Sequence, residues 1–509
     1  MADLFNDKIF RNTFFLIILA ELLSFLGYYY PIINFLSFLI IVILTMVISL
    51  YRLEYGFGIL LTELFIGSFG YLFYFAAGDL NISIRIALWL VIMSVWLAKV
   101  IMERIKTKKL FIHFYKSNYF IYFAVLSIFI IWGLLNGFLK GQAINNVFFD
   151  FNNWLFFLLI FPVFYVFRDK HHLKIIKQTF FAAIVWLSLK TMLLAYFFSH
   201  NFPYFTLDLY RWVRQSGVGE ITQVREGFSR IFMQSHIFVL IGFFILLFYL
   251  LKIIITKKNK RVKAAIKPVK SNRKNLLTAY CLLLTLFLSV IIASFSRSFW
   301  LGLAIGGIFV WLTALFKLKI KFKRFIVYNL IILFSLIFSL ILILVAIRFP
   351  YPSAYGGFNP ADLLSQRVTQ ITNEAGASSR WQLLPPLWQK IKTAPVLGRG
   401  FGATVTYKTN DPRILASNPG GLYTTYTFEW GWLDIWLKLG LFGLLAYLIL
   451  FIKIIKDGLK INSYFSLSLT TGLIVLITVN IFSPYLNHPL GIGYIIMVMA
   501  MMENMKNVP

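Results

Sequence analysis

Residues 325–347 read FIVYNLIILFSLIFSLILILVAI. The run contains no Asp, Glu, Lys or Arg, and Lys323 and Arg324 stand directly before it. An α-helix needs about 20 apolar residues to cross the hydrocarbon core of a bilayer. Residues 325–347 therefore predict a transmembrane helix with a basic flank.

Similar apolar runs recur along the whole chain of 509 residues, of which 60% are hydrophobic and only 13% charged. Soluble domains average about 45–50% apolar and about 25% charged residues, so a soluble enzyme, a disordered chain and a collagen-like fibre are excluded. The predicted spans are 13–29, 32–50, 57–77, 84–102, 119–139, 152–167, 178–198, 231–251, 275–293, 299–316, 325–347, 431–452, 463–482 and 488–503. The predicted fold class is all-α: a polytopic helical membrane protein with about 14 transmembrane helices and one large extracytoplasmic loop subdomain.

The formal net charge of +30 is concentrated in the loops on one side of the predicted bundle. With the N-terminus in the cytoplasm, every dense basic block falls inside, including the loop 252–274, which has no acidic residue. This is the pattern of the positive-inside rule, and it places both termini in the cytoplasm. Contact with anionic membrane lipids explains the basic loops better than nucleic acid does, so no nucleic-acid partner is expected.

Two segments on the opposite face, 199–230 and 349–430, are too long to be simple turns, and long loops are usually functional or disordered. We divide the chain into N-terminal spans (1–200), central spans (201–348), a large extracytoplasmic loop (349–430) and C-terminal spans (431–509). Cys281 is the single cysteine, which excludes a disulfide within the chain and a Cys-based metal site.

The large loop contains a helix pattern that begins near Ser378, a residue suited to capping a helix. Trp381, Leu384, Trp388 and Ile391 follow at spacings of three, four and three, which places them on one helical face. The Pro385-Pro386 pair is expected to break the helix into two turns. Arg380 would lie in the first turn, where a cation opposes the helix dipole. A planar guanidinium suits phosphate binding, and a surface Arg or a lipid-headgroup anchor is the alternative.

The helix is followed by a glycine-rich run, Gly398-Arg399-Gly400-Phe401-Gly402. Glycines allow backbone amides to approach a ligand closely, and a tight turn is the equally plausible interpretation. At the end of the loop, Glu429 stands among aromatic residues where the chain re-enters the membrane. A partly desolvated carboxylate there would suit proton transfer, and an interfacial aromatic belt is the alternative.

Further arginines are predicted on the same face. Arg225 and Arg230 end the loop 199–230, and Arg297 lies in the short turn of Ser294-Phe-Ser-Arg-Ser-Phe-Trp-Leu-Gly302. Together with Arg380 they suit a large anionic ligand such as a lipid pyrophosphate. Arg297 could instead be a snorkelling anchor. His236, inside the eighth span, is interpreted as a packing residue.

These motifs together resemble the O-antigen ligase and O-antigen polymerase family. The resemblance rests on 294–302, on Ser379-Arg-Trp381 followed by Pro395-Val-Leu-Gly-Arg-Gly-Phe-Gly402, and on the segment from Leu433 to Leu444. The order of these motifs and the large outer loop also agree. The similarity covers roughly 225–500.

The resemblance implies a metal-independent membrane glycosyltransferase of the bacterial cytoplasmic (inner) membrane. Such an enzyme moves a glycan from an undecaprenyl-pyrophosphate carrier to the hydroxyl of a glycan, lipid or protein acceptor, with no cofactor. Arg230 and Arg380 would hold the pyrophosphate. The ligases have a loop His near the re-entry point; here Glu429 falls near that position and becomes the expected general base. The further substrate-binding residues expected are Arg297, Arg225, Arg399, Gly400 and Gly402.

A lipid-linked glycan flippase or another secondary transporter is the alternative. It would draw on charged groups within the predicted spans, namely Glu21, Glu63, Lys190, Asp434 and Lys438. Pairing would remove that argument: Asp434 and Lys438 are four residues apart on one helix, and Lys190 could pair with Glu21 or Glu63. The sequence does not distinguish a ligase from a polymerase, since neither the donor sugar nor the acceptor can be read from it.

Overall fold

The computed structural model describes residues 7–78, 80–108, 113–167, 170–225, 227–255, 273–354, 375–410 and 412–506. Helices dominate this part of the chain, which confirms the predicted all-helical membrane fold. The helices are α1 (Lys8–Tyr29), α2 (Pro31–Tyr51), α3 (Leu53–Ile66), α4 (Ile84–Thr107), α5 (Phe120–Leu139), α6 (Ile144–Asn152), α7 (Ile160–Val166), α8 (Lys170–Ser199), α9 (Pro203–Gln215), α10 (His236–Ile255), α11 (Arg273–Ala293), α12 (Arg297–Leu312), α13 (Phe322–Arg348), α14 (Ala375–Lys392), α15 (Pro412–Ser417), α16 (Gly431–Ile461), α17 (Tyr464–Val479) and α18 (Pro489–Lys506).

Short antiparallel hairpins occupy the loops between some of these helices. They pair β1 (Tyr74–Ala77) with β2 (Leu80–Ser83), β3 (Glu220–Arg225) with β4 (Phe228–Phe232), and β5 (Val405–Lys408) with β6 (Leu422–Thr425). Short 3-10 turns at His113–Lys116 and Asn153–Leu159 complete the connections around α5 and α7.

In the described part of the chain, 11 helical segments are long and apolar enough to cross a membrane. The other three predicted spans also coincide with helices: α3 has 14 residues, α17 has 16, and α18 carries polar residues at its end. At two of the predicted boundaries a strand takes the place of the predicted helix. The span predicted at 57–77 ends at Ile66 and gives way to β1, and the span predicted from 231 begins at His236 because 228–232 form β4.

Helix α10 lies at the centre of the bundle, packed against α8, α11 and α17. Nearly all of its side chains are buried, including Phe244 and Phe248. In contrast, α13 exposes a continuous apolar side with Leu333, Phe334 and Phe338. Exposed apolar surface of this extent is typical of contact with lipid rather than water. The charged groups that enter the bundle are paired, as described below.

The outer loop builds a small core of its own on α14. Leu383, Leu387 and Ile391 of α14 are buried against Val405 and other residues of β5 and α16. The buried face therefore differs from the face that the spacing predicted, since Trp381 and Trp388 are exposed. They lie instead edge-on to Trp430 and Trp436, with ring centroids 5.4 and 5.5 Å apart.

Helix α14 also begins earlier than predicted and is not broken by its prolines, while it ends before Pro395 as predicted. It starts at Ala375 and passes through Pro385 and Pro386 without a break, so Arg380 is not in its first turn. Burial of the leucine face compensates for the hydrogen bonds that proline cannot make. Most of the basic loop 252–274 and residues 355–374 of the outer loop lie outside the described residues.

Candidate functional site

A cavity of about 1650 Å³ lies on the side of the bundle where the two long loops gather. Its lining comes from α4, α6, α9, the β3–β4 hairpin, the start of α12, α14, α16 and the loop segments 426–429 and 482–488. The volume exceeds the roughly 300–1,000 Å³ of a pocket for a drug-sized ligand. The cavity can therefore hold a large ligand, or two ligands at once.

Three of the arginines predicted from the sequence, Arg230, Arg297 and Arg380, line this cavity together. Arg230 lies on β4, donates from Nε to the carbonyl of Ser294 at 2.8 Å, and stands 4.9 Å from the ring centroid of Phe232. Arg297 is the first residue of α12, directly after the turn that contains Ser294. The turn 294–296 thus brings the β4 and α12 arginines to one wall.

Arg380 forms an ion pair with Glu429, and both side chains line the cavity. The backbone carbonyl of Arg380 accepts a hydrogen bond from Trp430 Nε1 at 2.9 Å, which ties α14 to the segment that carries Glu429. The Glu429 side chain is 51% exposed. The expected desolvation of this carboxylate by the neighbouring aromatic residues is therefore wrong, because Arg380 and the open cavity surround it instead.

The glycine-rich run lies beside the cavity, not in its lining. Arg399 N donates to the carbonyl of Leu437 at 2.6 Å, and Gly400 N donates to the carbonyl of Lys438 at 3.2 Å. Gly402 N donates to Asp150 Oδ2 at 2.9 Å. These backbone amides dock the run on α16 and α6. We therefore do not include Arg399, Gly400 and Gly402 among the proposed substrate contacts.

Close packing accounts for the glycines. Gly398, Gly400 and Gly402 have φ of +73°, +81° and +77°, a region that favours glycine. A Cβ at Gly400 would lie 2.1 Å from the backbone nitrogen of Gly137 in α5. The tight-turn interpretation therefore describes this run better than a ligand-binding loop does. The remaining predicted site residue, Arg225, ends β3, and its side chain lies outside the described part.

Residues that the sequence analysis did not place in the site also line the cavity. Lys438 lies 2.6 Å from Asp434 Oδ1, as its spacing on α16 predicted, and 2.7 Å from Asp150 Oδ1 of α6. All three side chains are buried. Asp150 was missed because its partner lies 288 residues away and no local pattern signals the contact. Asn487, whose amide donates to Asp434 Oδ2, was missed for the same reason.

The other charged groups within the bundle are paired as well. Lys190 lies 2.5 Å from Glu21 Oε1, and Arg85 makes two hydrogen bonds to Glu63 at 2.8 and 3.0 Å. His236 is buried and contacts Thr191 Oγ1 at 2.8 Å, in agreement with its interpretation as a packing residue. Within the described ranges, no group of three or more His, Cys, Asp or Glu side chains is arranged to hold a metal ion.

Comparison with known proteins gives a match for the part of the chain that contains several residues of this site. Residues 281–448 match the family model described as O-antigen ligase. Searches of curated proteins and of solved structures gave no match. The matched region contains Arg297, Arg380 and Glu429, whereas Arg230 precedes it and is joined to it by the hydrogen bond to Ser294 and by the shared cavity.

Glycan transfer of the O-antigen ligase type is the general activity that this family supports. The apolar helices of the described chain agree with a multi-pass membrane protein. Residues 281–448 therefore resemble the O-antigen ligase family, and the resemblance predicted from the sequence motifs is confirmed for this part of the chain.

Proposed function

We propose that the protein transfers a glycan from an undecaprenyl-pyrophosphate carrier to an acceptor hydroxyl at the outer face of the cytoplasmic membrane. One observation carries the proposal: Arg230, Arg297 and Arg380 line one large cavity together with Glu429. The identity of the acceptor, the second substrate, decides whether the protein is a ligase or a polymerase.

The three arginines would bind the pyrophosphate of the donor. Guanidinium groups form charge-assisted, often bidentate hydrogen bonds with phosphate oxygens. Fixed positive charge also stabilises the leaving pyrophosphate as its negative charge develops, which lowers the barrier to transfer. A divalent metal ion is not needed for this role when several arginines supply the charge.

Glu429 would accept the proton of the attacking hydroxyl. The acceptor oxygen forms a bond to the anomeric carbon, the bond from that carbon to the pyrophosphate oxygen breaks, and its electron pair leaves with the carrier. Arg380 holds Glu429 in the resting protein. When the donor engages Arg380, the carboxylate of Glu429 loses its partner and becomes available as the base.

The arginine variants test the proposal. We expect Arg380→Ala and Arg230→Ala each to abolish transfer of labelled glycan from the lipid-linked donor by the purified protein in liposomes, because each removes a fixed positive charge. Both variants should still accumulate in the membrane. Arg211→Ala is the matched control, since Arg211 is exposed on α9 and is not a cavity residue.

Full transfer activity in the Arg380 or Arg230 variant would refute the site assignment. The same assay separates the enzyme from a transporter, because a transporter moves the lipid-linked donor across the liposome membrane without changing it. The pairing of Glu21 with Lys190 and of Glu63 with Arg85 removes the unpaired intramembrane charges on which the transporter alternative rested.

A further inference from the structure

The cavity carries a second wall whose chemistry differs from that of the arginines. It consists of Asp150, Asn152, Asn153, Asp434 and Asn487, which we call the amide–carboxylate wall. The members are joined through contacts: Lys438 bridges Asp150 and Asp434, and Asn487 donates to Asp434. Asn152 and Asn153 follow Asp150 at the end of α6.

The wall offers hydrogen-bonding groups that the protein leaves available. The side-chain amides of Asn152 and Asn153 make no hydrogen bond to any residue that the structure describes, although both line the cavity. Each amide can both donate and accept. A carboxylate can accept up to about four hydrogen bonds, and Asp434 uses one oxygen for Lys438 and the other for Asn487. Such groups match a ligand with many hydroxyls.

The wall also has a charge preference. The carboxylates of Asp150 and Asp434 both contact the single ammonium of Lys438, so the three side chains have a formal charge of −1 and Lys438 is already engaged by two partners. Charge interactions are strong in a buried site because the effective dielectric constant is low. An anionic group beside Asp434 would therefore find no cation that is not already paired with a carboxylate, whereas a neutral polyhydroxylated group could form hydrogen bonds with the wall.

The segment 426–429 connects this wall with the arginines. Lys438 Nζ lies 5.6 Å from the ring centroid of Phe428, the residue before Glu429. Burial, with a smaller effect of Asp150, raises the pKa of the Tyr426 phenol, so that it remains a neutral hydroxyl donor in the cavity. The segment that carries the proposed base thus contacts Lys438, which bridges Asp150 and Asp434 of the wall, through Phe428, and it contacts Arg380 through Glu429.

We propose that the amide–carboxylate wall binds the acceptor glycan through an uncharged sugar and discriminates against an acidic sugar at that position. This inference rests on the proposed function and adds to it the location and the charge class of the acceptor. The arginines select the anionic donor, and Asp434 with Asp150 keeps the acceptor end of the cavity from binding a second anion.

A pair of matched acceptors tests the charge preference without any mutation. One is the oligosaccharide released by mild acid hydrolysis from the surface polysaccharide of the bacterium. The other is the same oligosaccharide with its primary hydroxyls oxidised to carboxylates by TEMPO. With the full-length protein in liposomes and lipid-linked donor from the same bacterium, we expect kcat/KM for the oxidised acceptor to be at least about tenfold lower.

Variants of the wall test the location. We expect Asn152→Ala with Asn153→Ala to raise KM for the unoxidised acceptor about tenfold while KM for the donor changes less than about twofold, because two hydrogen bonds to the acceptor are lost. Asn145→Ala is the matched control, an exposed Asn on the same helix that does not line the cavity. Asp434→Asn should narrow the preference between the two acceptors to less than about threefold.

Equal use of the two acceptors by the wild-type protein would overturn the proposal, as would an unchanged acceptor KM in the double Asn variant. A wild-type protein that transfers no glycan at all would instead refute the proposed function. In that case, equilibrium binding of the two oligosaccharides to the wild-type and double Asn proteins still decides the acceptor proposal, because it needs no turnover.

Discussion

The Arg380–Glu429 pair shows how an exposed ion pair can serve a site without adding much stability. Surface pairs contribute only about 0–1 kcal/mol because water screens them. Both residues are at least one-third exposed to the cavity. In the proposed mechanism, the pair instead places a guanidinium for the donor and a carboxylate for the hydroxyl proton at one point.

Replacing the carboxylate of Glu429 tests this role. We expect Glu429→Gln to lower kcat for glycan transfer by about 10²-fold or more, because general-base catalysis typically contributes about 10²–10⁴-fold. The measurement is the turnover of labelled lipid-linked donor at saturating acceptor.

A matched control exists in the same cavity. Glu220 also lines it and lies 3.6 Å from an arginine, Arg214. Glu220→Gln should leave kcat within about threefold of the wild-type value. If the two variants behaved alike, the loss would reflect cavity charge in general and the assignment of Glu429 as the base would fail.

At the scale of elements, the glycine-rich run and helix α16 exchange backbone hydrogen bonds. Gly440 has φ of +74° and interrupts the helical geometry of α16. Leu441 N donates to the carbonyl of Pro395 at 3.0 Å, while the carbonyl of Leu437 accepts from Arg399 N. Two of the family motifs are therefore parts of one structure, in which each satisfies the backbone groups that the other leaves unpaired.

A side chain at Gly440 should disrupt this junction. A Cβ there would lie 2.2 Å from the carbonyl oxygen of Val396, and a positive φ costs a non-glycine residue about 1–3 kcal/mol. We expect Gly440→Ala to lower the melting temperature of the detergent-solubilised protein by several degrees and to reduce transfer activity. The measurement is thermal unfolding followed by tryptophan fluorescence.

Gly307→Ala is the control for the Gly440 variant. Gly307 lies within helix α12, and an added Cβ would meet nothing within 4 Å. Its melting temperature should stay within about one degree of the wild type or rise, because alanine favours the helix. Equal melting temperatures of the Gly440→Ala variant and the wild-type protein would contradict the proposed junction.

The whole molecule depends on ion pairs that join distant helices inside the bundle. Glu21 of α1 and Lys190 of α8 are both buried, and α1 packs along α8. Removing one member of a buried pair leaves an uncompensated charge and typically costs about 3–5 kcal/mol, whereas replacing both with apolar groups is often neutral. The pair therefore adds little net stability, and its main effect is to specify that α1 packs against α8.

We expect Lys190→Met to lower the melting temperature markedly and the double variant Glu21→Leu with Lys190→Met to recover most of the loss. The comparison of the two melting curves checks this, with membrane accumulation as a second readout. A double variant that is less stable than Lys190→Met alone would contradict this expectation, because Glu21 would then stabilise the protein even without Lys190. Transfer activity should follow stability here, since neither residue lines the cavity.

The sequence by itself determined the membrane class, the positions of the spans and most of the cavity arginines. Apolar runs and basic flanks are local properties, and burial in a bilayer acts on them one helix at a time. Arg230, Arg297 and Glu429 could be selected because each stands at or next to the end of such a run on the same predicted face, and Arg380 because it lies in the helix pattern of the large loop on that face.

Only the tertiary structure decided how these residues meet and what surrounds them. Asp150 and Lys438 are 288 positions apart, and the docking of the glycine-rich run depends on a break in another helix. Which face of α14 is buried also depends on other segments, because the partners of Leu383 and Leu387 lie on β5 and α16. Contacts between distant segments are selected by packing of the whole bundle, which periodicity and spacing along one helix do not encode.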